Sequence, residues 1–176
     1  MISSNKQKLI ILVVCIVFLS GSCRLPGQTL VSESSLEKLA KNFEYTLSTG
    51  SKYKLVDGRY KQGQSIEDYV SIRVDTLAFG DLNGDGLKEA AVILVSNYGG
   101  SGSFYELTTL INGGQALQQT NCLELGDRVQ IKKVKISKEK IIIEMLTQGP
   151  NDPMCCPSKK VNLIFQFKNG RLYETK

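Results

Sequence analysis

Asp81-Leu82-Asn83-Gly84-Asp85-Gly86-Leu87-Lys88-Glu89 runs without a break into Ala90-Ala91-Val92-Ile93-Leu94-Val95, and the two halves of this stretch decide the fold between them. The second half is apolar throughout and lacks alternation, which predicts a central strand covered on both faces. The first half places oxygen-bearing side chains at loop positions 1, 3, 5 and 9 with glycine at position 6, the spacing by which a chain wraps a hard divalent cation. Asp81, Asn83 and Asp85 would supply side-chain oxygens, Leu87 its backbone carbonyl and Glu89 the last carboxylate. Calcium is the expected ion, in a structural role and with an affinity on the order of 0.1 to 1 mM, as in extracellular modules. The rival reading is a metal-free turn, since Asn83-Gly84 and Asp85-Gly86 are strong turn dipeptides. A turn needs only one or two such residues, however, and three carboxylates this close repel one another unless a cation lies among them.

Upstream, Lys6 and Lys8 precede an unbroken apolar run from Leu9 to Leu19, followed by Ser20-Gly21-Ser22-Cys23. This reads as a signal peptide over residues 1–22. The run falls well short of the roughly 20 residues a spanning helix needs. The segment resembles the lipobox of bacterial lipoproteins, in which the cysteine, here Cys23, is lipid-modified after cleavage; Gly21 and Ser22 suit that pattern, and Ser20 stands where the family most often has Leu. The resemblance implies a membrane anchor at Cys23. Small residues at Ser20 and Ser22 also suit ordinary cleavage, which would leave a secreted protein.

Cleavage leaves roughly 154 residues, one domain by length and enough to bury a core. A short flexible tether is expected over residues 23–31, carrying Pro26 and Gly27, before a single β-rich domain over residues 32–176. Ser34-Ser35-Leu36-Glu37 reads as a capping box, with Leu36, Leu39, Ala40, Phe43 and Leu47 recurring at helical spacing, so one N-terminal amphipathic helix ending near Ser48 to Gly50 is predicted. Beyond it the period is two. Strands are expected over residues 53–56, 59–61, 69–77, 89–96, 104–111, 117–124, 129–136, 140–146, 161–167 and 172–174, with turns at Asp57-Gly58, Asn112-Gly113-Gly114 and Asn169-Gly170. The fold class is therefore mainly β (α+β): an antiparallel sheet or sandwich of about 8–10 strands, one face partly covered by the helix.

The formal charge of +5 falls by two when Lys6 and Lys8 are removed, a weak balance. Lys132, Lys133, Lys135, Lys138 and Lys140 interleave with Val134, Ile136 and Ile141 as the polar face of a hairpin would, and no stacking aromatics or nucleic-acid motif accompany them. No nucleic-acid partner is expected. The chain contains no histidine. Ser-His-Asp and Cys-His nucleophile systems, His-ligated zinc and histidine proton shuttles are thereby excluded for this domain acting alone. Carboxylate chemistry survives, but nothing in the spacing of Glu106, Asp127, Glu144 and Asp152 brings two of them together. Gly99-Gly100-Ser101-Gly102 lacks the Lys-Ser/Thr of a phosphate loop and reads as a connection between strands. Cys122, Cys155 and Cys156 are disulfide candidates in an oxidising compartment. Cys122 paired with one of the two neighbours, three reduced thiols, and a Cys155–Cys156 bond or soft-metal site all remain open.

The segments Gly80 to Leu94, Gly99 to Phe104, Leu125 to Val129 and Gly149 to Pro157 together resemble a group of small exported bacterial lipoproteins of unknown function, over roughly residues 50–176. Their shared core reads GDLNGDGxxEAAVxL, GGSGxF, LGDRV and GPNDPMCCP. The first motif is also similar to the calcium loops of FG-GAP and VCBS-type repeats, which occur in tandem; a single copy here counts against a propeller. Val92 occupies position 12, where an EF-hand has its bidentate Glu, and the flanks read as strands. The family resemblance implies location and fold more than role. The expectation is an exported, lipid-anchored, non-catalytic envelope domain with one structural calcium ion, working as an accessory or interaction module for an envelope protein partner. The alternative is a secreted enzyme or enzyme inhibitor with an unlocated carboxylate or cysteine site.

Overall fold

The apolar run beginning at Ala90 forms the middle of a strand, Glu89–Asn97, whose residues are buried from Glu89 to Ser96. The computed structural model describes residues 31 to 175; the expected signal peptide, Cys23 and the tether up to residue 30 lie outside them. One helix, α1 (Glu33–Lys41), precedes twelve strands: β1 (Glu44–Thr46), β2 (Lys52–Lys54), β3 (Arg59–Gln62), β4 (Val70–Gly80), β5 (Glu89–Asn97), β6 (Phe104–Asn112), β7 (Leu117–Gln119), β8 (Leu123–Asp127), β9 (Gln130–Ser137), β10 (Lys140–Thr147), β11 (Lys159–Lys168) and β12 (Arg171–Thr175). Every strand pairing among the described residues is antiparallel.

Three layers result. A six-stranded sheet runs β3-β4-β5-β6-β7, with β8 also paired to β6; a four-stranded sheet runs β12-β11-β10-β9. Ala91, Ile93 and Leu107 of the first sheet pack on Ile141, Ile143, Phe165 and Leu172 of the second. On the opposite face, Ala90, Val92 and Leu94 pack under Leu36 and Ala40 of α1 and under Tyr45, Leu47 and Leu55 around the β1-β2 hairpin. Successive side chains of a strand point to opposite faces, so a strand between two covering layers must be apolar at every position. That is why the run does not alternate. The sheets approach closely at Gly80, where an added Cβ would lie 2.8 Å from Cβ of Ile136.

The helix is shorter than its periodicity suggested. Ser32 caps it, accepting from the Ser35 amide at 3.2 Å, and Asn42 ends it, its side-chain amide donating to the Lys38 carbonyl. Phe43 and Leu47, expected on the helix, flank β1 instead, and Leu39 is 48% exposed. The reason is local: Phe-Glu-Tyr-Thr-Leu over residues 43–47 suits a strand as well as a helix, and pairing with Lys52–Lys54 settles it. Tyr45 then donates its hydroxyl to the Ala40 carbonyl at 2.7 Å, satisfying one of the open carbonyls at the helix end. The stretch 117–124 also divides, into β7 and β8, raising the strand count above the expected 8–10. Val31, assigned to the tether, packs against the α1 core.

Asp57-Gly58 and Asn169-Gly170 both have positive φ in tight hairpins, as their composition required. Lys132, Lys133, Lys135 and Lys138 are exposed on β9 and its turn, the solvated hairpin anticipated. On an edge strand these charges also oppose sheet-to-sheet association between molecules.

Leu36 and Leu39 separate the observed helix from the longer amphipathic one. Leu36→Ala is expected to cost about 2 to 5 kcal/mol and Leu39→Ala under about 0.5 kcal/mol in urea unfolding. Equal losses would place both side chains in the core.

Candidate metal centre

The β4-β5 connection, residues 81 to 88, closes where Gly80 pairs with Glu89. Gly86 turns the chain at φ 81°, a conformation that costs glycine little. Leu82 and Leu87 are 1% and 2% exposed and pin the loop to the protein at both ends. Between them the polar side chains turn inward on the loop itself. Asp81 accepts from the Gly84 amide through Oδ1 at 2.7 Å and from the Gly86 amide through Oδ2 at 2.9 Å. Asn83 Oδ1 accepts from the Asp85 amide at 3.0 Å, and Asp85 Oδ1 from the Leu87 amide at 2.7 Å. Asn83 Nδ2 donates to Asp85 Oδ2 at 3.0 Å.

Those bonds satisfy a turn. They do not account for Glu89, which is fully buried. Its Oε2 accepts from the Leu82 amide at 2.8 Å, while Oε1 is buried with no hydrogen-bond partner. Burial, against the Leu82 amide and with the nearby Asp85 and Asp81 charges adding to it, pushes the Glu89 carboxyl up to about 7. Lys88 next door turns away to pair with Glu33 at the start of α1. One ligand oxygen each from Asp81, Asp85 and Glu89 lies within 4.8 Å of the others. Oxygens bound to calcium at 2.3 to 2.6 Å are at most about 5 Å apart across the ion, so the three carboxylates fit a shared calcium. Each Asp oxygen keeps a second lone pair for it beyond the backbone bond already made. Asn83 is on the exposed side of this cluster, and Leu87 contributes its amide to Asp85 and its side chain to the core.

The cysteines are arranged differently from the expected Cys122 bridge. Cys155 and Cys156 are bonded to each other in the exposed loop between β10 and β11, and Cys122 is free. Cys122 lies in the opposite layer, donating to the Thr46 carbonyl at 3.2 Å and accepting from Gln119 Nε2 at 3.4 Å. Burial, then the Glu106 charge, pushes its thiol up to about 12, far from a nucleophile's range. Asp152 fastens the Cys-Cys loop by accepting from the Gly149 and Ser158 amides, both at 2.7 Å.

The four carboxylates weighed for hydrolytic chemistry do not converge. Asp127 pairs with Arg128, Asp152 holds its loop, and Glu144 is exposed on β10. Glu106 instead meets Glu124, a pairing not anticipated from the sequence: the two are direct cross-strand partners on β6 and β8. The available signal was an acidic residue inside the otherwise apolar and threonine-rich Phe104–Asn112 run. Comparison with protein-family models, with curated proteins and with solved structures finds no match for this chain.

A raised carboxyl pKa in the folded state means that the native protein holds a proton the unfolded chain has lost. Without divalent ions, stability should therefore fall as pH rises from about 4.5 to about 7 and level off above. Urea unfolding in EDTA across that range checks it. Glu89→Gln should flatten this limb, and an unchanged slope would assign the dependence to another group.

Proposed function

We propose that this chain is an exported, lipid-anchored, non-catalytic domain of the bacterial cell envelope that holds one structural calcium ion through Asp81, Asn83, Asp85, Leu87 and Glu89 and serves as an accessory or interaction module. The observation that carries the calcium reading is Glu89 Oε1, a buried oxygen without a partner beside two further carboxylates. A turn would leave that group a net cost; a divalent ion turns it into a ligand. Export is supported by Lys6, Lys8 and the apolar run Leu9 to Leu19, and by the exposed Cys155–Cys156 bond, which suits an oxidising compartment. The anchor is supported by Ser20-Gly21-Ser22-Cys23. The absence of histidine and the unreactive Cys122 thiol favour a non-catalytic role.

Calcium that binds only the native state stabilises by RT ln(1 + [L]/Kd), about 2.7 kcal/mol at 100 times Kd, which corresponds to roughly 5 to 10 °C in Tm. Melting curves in EDTA and in calcium should differ by that amount for the wild type and coincide for Asp85→Ala. Magnesium, which needs a smaller octahedral shell, should substitute poorly. Coincident wild-type curves would return the loop to a metal-free turn.

Intact-mass measurement of the protein recovered from membranes should show a diacylglyceryl group on Cys23, and Cys23→Ala should move the protein to the soluble fraction. An unmodified Cys23 in the mature wild type would remove the anchor.

A further inference from the structure

A cleft of about 500 Å³ opens at the other end of the β5-β6 hairpin from the calcium loop. Seven residues of β5 separate Glu89 from Ser96 at its rim, a distance of about 24 Å at 3.4 Å per residue. Its walls are aromatic: Tyr98 and Phe104, 40% and 45% exposed with ring centroids 6.2 Å apart. Its floor is acidic. Glu106 and Glu124 face each other directly across β6 and β8, where like charges oppose pairing. They share one hydroxyl proton, Ser48 Oγ, which lies within hydrogen-bond reach of Glu106 Oε1 and 3.2 Å from Glu124 Oε1. The Ser48 amide adds a second bond to Glu106 Oε1 at 3.3 Å. Glu106 is 6% exposed, yet its Oε2 has no hydrogen-bond partner. No residue lining the cleft is basic, and Asp127 at its edge is already paired with Arg128.

Two carboxylates are thus held together in an aromatic-walled cleft with no basic side chain among the described residues that line it. We propose that this cleft binds an organic cation, an alkylammonium or guanidinium group, with its charge between Glu106 and Glu124 and its alkyl chain against Tyr98 and Phe104. Charged donors make the strongest hydrogen bonds to carboxylates, and the faces of the aromatic rings attract the same cation. A divalent metal is the poorer occupant, because it needs six or more oxygens and the walls are mostly ring carbon. A neutral ligand would leave the two charges unopposed.

The test is calorimetric titration of the calcium-loaded mature protein with butylammonium and butylguanidinium, with butanol as the neutral match. One cation should bind saturably per chain, and butanol should not. Glu124→Gln, at an exposed position, should weaken the cation at least tenfold, and Glu106→Gln should do the same; if the buried variant does not fold, Glu124→Gln decides alone. Glu144→Gln, at an exposed position on β10 in the second sheet, should leave the cation affinity unchanged, which assigns the loss to this cleft rather than to surface charge in general. A blocked lysine peptide used in place of butylammonium distinguishes a partner's side chain from a free amine by which binds more tightly. Butanol binding as well as butylammonium, an undiminished affinity in Glu124→Gln, or a loss in Glu144→Gln would each overturn the proposal.

Discussion

A carboxylate stands at the head of a strand that has no exposed face, and the rest of the molecule is arranged around that constraint. Glu89 shares its phase with Ala91 and Ile93, so its side chain enters the protein with the inter-sheet core rather than leaving for solvent. Burying an ionised group without a partner is among the largest single costs a fold bears. One backbone amide, that of Leu82, offsets part of it. The remaining oxygen lies beside Asp81 and Asp85, whose charges add to that cost, and a divalent cation among the three would offset it. The loop's own hydrogen bonds already hold those two side chains in place in the absence of an ion.

The same strand explains why the protein needs three layers. Both faces of β5 are apolar, and the four-stranded sheet covers one while α1 and the β1-β2 hairpin cover the other. A nine-residue helix is too short to be stable in water by itself. It exists because Leu36 and Ala40 are buried against Ala90, Val92 and Leu94, and because Tyr45 folds back to bond its last turn. Residues 43 to 47 serve the covering layer better as a strand, since the β1-β2 hairpin spreads over more of the sheet than two further helical turns would reach.

What could be read from the sequence was local. The unbroken apolar run of β5, the Asp57-Gly58 and Asn169-Gly170 hairpins, and the solvated lysine-bearing hairpin each carry their geometry within a few residues, and each is found as read. The oxygen spacing of residues 81 to 89 was legible for the same reason, although the full burial of Glu89 was not, because it depends on which face of β5 meets the second sheet. The helix end was misplaced because Phe43 and Leu47 fit both periods, and only the pairing of β1 with β2 decides between them. Glu106 and Glu124 were missed as a pair because eighteen positions separate them, and a register shift after Tyr105 brings them opposite one another. The cysteines show the same limit: their number allows a Cys122 bridge, and the layers keep Cys122 and the Cys155-Cys156 loop apart.

The two acidic sites occupy opposite ends of one hairpin, and their chemistries differ for a structural reason. At the β4-β5 end the chain itself curls over the carboxylates, so backbone amides and loop oxygens surround the charge and leave room for a bare ion. At the β5-β6 end the turn of the β1-β2 hairpin reaches Glu106 only through Ser48, and the cleft beside it carries the rings of Tyr98 and Phe104. An ion that must keep six or more oxygens is served by the first environment, while a cation carrying its own hydrocarbon is served by the second. Calcium at the closed end would steady β5 from its first residue, and β5 together with its partner β6 positions the floor of the open one.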